Sequence, residues 1–128
     1  MIKTLGIKIK SLEKEWKNII FNLCFALLTL LIPVFLYKKI LSTTITLMII
    51  AVIGLIKYHS KISLAVFLFG ALFGAIAEII AIKYGLWNYT LSNFMNIPSW
   101  LFIFWGNVAV FIYQTAIELE RLGIHYKK

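Results

Sequence analysis

The chain has 128 residues, of which 62% are hydrophobic and 14% charged, with a formal net charge of +8 and a mean hydropathy of +0.92. This is far more apolar than a water-soluble globular domain of that length and excludes one. The positive charge does not indicate nucleic acid, because most basic residues lie beside apolar runs and none form a groove-sized block; anionic lipid headgroups at the cytoplasmic face are the partner it predicts.

A hydrocarbon core of about 30 Å takes about 20 helical residues, so the sequence has room for four spans in one all-α domain, a polytopic membrane bundle. No cleavable signal peptide is expected, since the first apolar run begins near Asn18 and is followed by Lys38 and Lys39 without a small-residue cleavage pattern. Residues 1–17 place Ile2, Leu5, Ile9, Leu12 and Trp16 on one helical face and Lys3, Lys8, Lys10, Lys14 and Lys17 elsewhere. That pattern predicts an amphipathic interfacial helix.

Span one is predicted over 18–37, with Pro33 kinking or ending it. Its Cys24 is the only cysteine, so no internal disulfide and no cysteine metal site can form. Span two covers 40–56, with Ser42 or Thr43 as a cap; Thr43, Thr44 and Thr46 are mainly structural hydroxyls. The polar turn Lys57-Tyr58-His59-Ser60-Lys61 leads into span three, 62–82. A loop over 83–99 follows, and span four, 100–117, is entered through Pro98 and left at a charged tail beginning with Glu118.

Basic residues near span ends set topology. With both termini cytoplasmic, ten basic residues (Lys3, Lys8, Lys10, Lys14, Lys17, Lys57, Lys61, Arg121, Lys127, Lys128) lie inside and three (Lys38, Lys39, Lys83) outside. The sequence thus predicts a multi-pass protein of the cell membrane with the 83–99 loop external.

Glu78 is the residue of most functional interest. A carboxylate within an apolar span is costly against lipid and belongs in the bundle interior or a wet cavity. It shares a helical face with Gly70 and Gly74, a GxxxG pair that, with Ala77 and Ala81, lets another helix approach closely. That partner is span four or a second copy. Glu78 is therefore either a hydrogen-bonded structural group or a candidate proton donor, cation-binding group or proton-coupled carrier site. Asn107 and Gln114 lie two turns apart on span four. Gln114 is expected to bond Asn22 of span one, as helix packing, and Asn107 to line the Glu78 cavity beside Trp105. Trp87, Tyr89 and Trp100 form either an interfacial aromatic belt or an aromatic mouth over that cavity. His59 and His125 fall at the other end. No metal site, phosphate loop or Ser-His-Asp set is present in the sequence, and no cofactor is expected.

Glu78, Gly85-Leu86-Trp87-Asn88-Tyr89, Ile97-Pro98-Ser99-Trp100 and Trp105 together resemble part of the polytopic carotenoid hydratases. The resemblance covers residues 78–105 and implies isoprenoid or polyene chemistry with Glu78 as proton donor. Three functions follow as expectations: a pocket around Glu78, Asn107, Trp87 and Trp105 that binds or modifies a lipid-like molecule; a small dimeric proton-coupled transporter; or a non-catalytic accessory subunit of a larger membrane complex.

Overall fold

A computed structural model describes residues 2–123, with side chains for residues 5, 6, 9, 10 and 12–123. The side chains of Lys3 and Lys8, and residues His125, Lys127 and Lys128, lie outside the described residues. Four helices make up the fold: α1 (Ile2–Leu36), α2 (Ile40–Tyr58), α3 (Lys61–Lys83) and α4 (Trp100–Arg121). Each contains a segment long and apolar enough to cross a membrane, that of α1 being Leu12–Leu36. The chain is an all-α multi-pass membrane bundle.

Its side chains are distributed inside out relative to a water-soluble protein. Phe35, Leu41, Ile56 and Phe69 point outward with 77%, 73%, 70% and 64% of their surface exposed, while Asn22, Thr43, Ser63 and Asn107 are fully buried. Lipid tails solvate the first set, so burying it drives nothing; close packing and interhelical hydrogen bonds must hold the helices together.

Helix α4 is the central element. It packs against all three others, most extensively against α3, whereas α2 and α3 barely touch despite being joined by only His59 and Ser60. Close approach of α3 and α4 depends on glycine. A Cβ on Gly70 would lie 2.4 Å from Ala109 Cβ and 2.9 Å from the Trp105 carbonyl oxygen, and one on Gly74 would lie 2.2 Å from Trp105 Cγ. On the opposing helix, Gly106 faces the Phe67 ring in the same way. The GxxxG pair is thus spent inside the bundle, on span four. Ala81 is buried with it, whereas Ala77 faces outward.

Several boundaries differ from those the pattern predicts. The amphipathic segment is helical and runs into the first span without a break, and Pro33 sits inside the helix, one turn before its end. Proline there removes the N–H that would have bonded the Thr29 carbonyl, and the helix ends three residues later. Helix α2 has Lys39, not Ser42 or Thr43, at its N-cap position. Thr43 instead donates to Leu36 O at 2.6 Å and Lys39 O at 2.8 Å, tying α2 to the last carbonyl of α1 and to its own N-cap residue. Pro98 precedes the Ser99 N-cap rather than occupying the first turn, and α4 continues through Glu118 to Arg121. Glu118 is 4% exposed, so the expected charged tail begins as a further turn of helix whose first residue faces inward while Leu119, Glu120 and Arg121 are exposed.

Candidate functional site

Both described ends of the chain, with the α2–α3 turn, lie at one end of the bundle; the α1–α2 turn and the 84–99 loop lie at the other. At this loop end Glu78, 7% exposed, sits on the α4 side of α3. Gly85, with φ of 77°, turns the chain back after α3, which brings the loop aromatics over the carboxylate. Trp87 donates its indole Nε1–H to Glu78 Oε2 at 2.7 Å, and the Tyr89 hydroxyl donates to the same oxygen at 3.0 Å. Trp105 of α4 donates from Nε1 to Oε1 at 3.2 Å. Three neutral donors from two elements thus converge on one carboxylate, which accepts and does not compete with them. Burial, together with the hydrogen bond to Glu78 and its charge, raises the Tyr89 hydroxyl well above its ordinary pKa and keeps it a donor.

The rest of the loop is pinned to the bundle. Phe94 and Ile97 form a short antiparallel bridge closed by Met95 and Asn96, both at positive φ. Asn93 accepts from the Ser99 N–H at 2.8 Å, and Ser99 Oγ lies 2.8 Å from Thr44 Oγ1. Ile97 is completely buried.

Glu78 lines a cavity of about 370 Å³, within the range of small-molecule sites. One wall comes from the α1 side chains Leu30, Pro33, Val34 and Tyr37, the other from Trp100, Leu101 and Phe104 of α4, and residues 88–91 form the roof. Leu30 and Val34 are 53% and 58% exposed on the outer surface of the bundle, so the cavity opens sideways, toward lipid. Tyr89 and Trp100 meet edge to face at 6.3 Å, as do Trp100 and Phe104 at 6.1 Å. The Trp100 indole Nε1 is buried without a hydrogen-bond partner. A buried donor without a partner costs about 1–3 kcal/mol, and this one belongs to a residue of the cavity wall.

Glu78, Trp87, Tyr89 and Trp105 therefore come together as the sequence suggests, with Trp100 in the wall beside them. Trp87 and Trp105 hold Glu78 and are not part of the lining; Tyr89, Trp100 and Phe104 supply the aromatic surface. Asn107 does not line the Glu78 cavity. It faces α1, where its Nδ2 donates to Thr29 Oγ1 at 3.2 Å beside a smaller neighbouring cavity. The predicted Asn22–Gln114 bond is replaced by two others: Tyr58 donates to Asn22 Oδ1 at 2.6 Å, and Gln114 donates to Ser63 Oγ. The α1 wall was missed because its four residues read as ordinary lipid-facing or kink positions. Among the described residues no cluster of His, Cys, Asp and Glu could hold a metal.

Fold and site together define a small four-helix membrane protein with a laterally open, aromatic-walled cavity beside a buried carboxylate. Compared with protein-family models, with curated proteins and with solved structures, the chain matches none.

Proposed function

We propose that the loop-end cavity binds an elongated, largely apolar molecule taken from the surrounding membrane, of the isoprenoid or acyl-chain class. The observation that carries this is a buried, unpartnered indole N–H on Trp100, a residue in the wall of an apolar, laterally open cavity at Glu78. An ether, hydroxyl or carbonyl oxygen at the ligand's end accepts from Trp100 Nε1, and the aromatic rings of Tyr89, Trp100 and Phe104 contact its body. Glu78 acts by positioning: its three hydrogen bonds fix Tyr89 and the loop that roofs the cavity, so binding needs no proton transfer. The excess of basic residues at the terminus end supports a cytoplasmic location for that end and an external one for the cavity.

Native mass spectrometry of protein released from mild detergent tests the reading. Wild type is expected to retain a discrete apolar molecule. Trp100→Phe keeps the wall but loses the donor, and should lower retention about tenfold, the equivalent of one hydrogen bond to a buried partner. Wild type that carries only detergent and bulk phospholipid would refute it.

A further inference from the structure

A second cavity, of about 460 Å³, lies at the terminus end. Its surroundings contrast with the loop end: Lys14 of α1, Lys57 of α2, Ser60 at the start of α3 and Glu118 and Arg121 of α4 all contribute. Arg121 is engaged by two carboxylates, Glu118 Oε1 at 3.3 Å and Glu15 Oε2 at 3.9 Å. Lys14 and Lys57 have no carboxylate within 4.0 Å among the described residues; Lys57 Nζ lies 5.5 Å from the centroid of the Phe21 ring on the cavity wall.

Two buried polar atoms of cavity-lining residues have no hydrogen-bond partner, and they are of opposite kind. In Asn22, fully buried, the unpartnered atom is the Nδ2 donor, and in Glu118, 4% exposed, it is the Oε2 acceptor. Their order in depth is fixed by the helix. Asn18 donates to Glu118 Oε1 at 3.2 Å, and Asn22 lies four residues, about 6 Å, deeper along α1. The unpartnered donor therefore belongs to the residue nearer the membrane interior, and the unpartnered acceptor to the one nearer water.

We propose that this cavity is a binding site for a lipid headgroup bearing a phosphodiester and a primary ammonium, the chemistry of phosphatidylethanolamine. The phosphate takes the Asn22 Nδ2–H and the charges of Lys57 and Lys14, and the ammonium reaches Glu118 Oε2. In such a headgroup the phosphate lies deeper than the ammonium and a two-carbon bridge separates them, matching the order in depth of Asn22 and Glu118. A purely anionic headgroup would leave Glu118 Oε2 without a donor, and a quaternary ammonium has no N–H to give it. The site is independent of the loop-end cavity and of the reading given to it.

The test is competition among phosphatidylethanolamine, phosphatidylglycerol and phosphatidylcholine of matched acyl chains for the full chain in detergent, followed by native mass spectrometry. Wild type is expected to prefer phosphatidylethanolamine by about tenfold over both others, as one charge-assisted hydrogen bond would give. Lys57→Met, at an exposed residue, should weaken all three lipids. Glu118→Gln should erase the preference without weakening phosphatidylglycerol. Equal retention of the three lipids by wild type, or a preference that survives Glu118→Gln, overturns the proposal. Binding of free phosphoethanolamine without preference for the lipid also overturns it, assigning the cavity to a soluble ligand.

Discussion

The two ends of this bundle hold their buried carboxylates in opposite ways. At the loop end Glu78 is met by two indole N–H groups and a phenol; at the terminus end Glu15 and Glu118 share Arg121, with Asn18 as a neutral fourth member. The first arrangement is neutral on the donor side, buried and short in reach. The second is ionic, with an arginine side chain 55% exposed. The loop-end cluster should therefore be stiff and indifferent to salt, and the terminus-end cluster adaptable and salt-sensitive.

Gly74 is the position where the loop-end cluster is most vulnerable. A methyl there meets Trp105 Cβ and Cγ at 2.4 and 2.2 Å, so Gly74→Ala must push Trp105 away from Glu78. The expected cost is about 3 kcal/mol, the upper part of the overpacking range, read as the midpoint of unfolding in mixed micelles. Glu78→Ala comes next. It strands the Trp105 and Tyr89 donors, whereas Trp87 is half exposed and can rehydrate, for a loss of about 2 kcal/mol that is the same at low and high salt. Glu118→Gln should cost about 1 kcal/mol or less because Arg121 is well exposed, and that loss should shrink as salt is raised.

The smallest effect is alkaline and confined to the loop end. The Tyr89 pKa is raised by burial first and by Glu78 second, so its contribution to stability is fully present below its unfolded pKa of about 10. It declines as the pH rises above that value. Tyr89→Phe loses a hydrogen bond at neutral pH but should flatten this alkaline decline, as seen by comparing melting curves at pH 8 and above pH 10.

Much of the fold was legible because lipid makes the code simple: apolar runs of sufficient length had to be spans, and Lys38, Lys39, Lys57, Lys61 and Lys83 had to mark their ends. The carboxylate cluster was legible in part. Glu78 stood out as the only charge within its run, and Trp87, Tyr89 and Trp105 were its nearest aromatic candidates. Partner choice was not legible. Asn22 and Gln114 lie at similar depth, yet each bonds a different helix, because rotation of α1 and α4 about their axes depends on packing that spacing alone does not encode. Glu15, Asn18, Asn22 and Thr29 do fall three, four and seven residues apart, a polar stripe that could have marked the inward face of α1 and, with it, the terminus-end cluster. The unpartnered Trp100 indole is a product of tertiary packing and leaves no trace in the sequence.

The indole ¹⁵N–¹H spectrum is the most direct test of the loop-end cavity, since the chain has 4 tryptophans and three of them serve the site in two roles. The spectrum would be recorded on protein as purified and again after exhaustive delipidation. The Trp100 resonance should move when the bound molecule is stripped, while those of Trp87 and Trp105 stay in place, fixed by Glu78. A Trp100 resonance that does not respond, or one that moves only together with Trp87 and Trp105, would contradict the account.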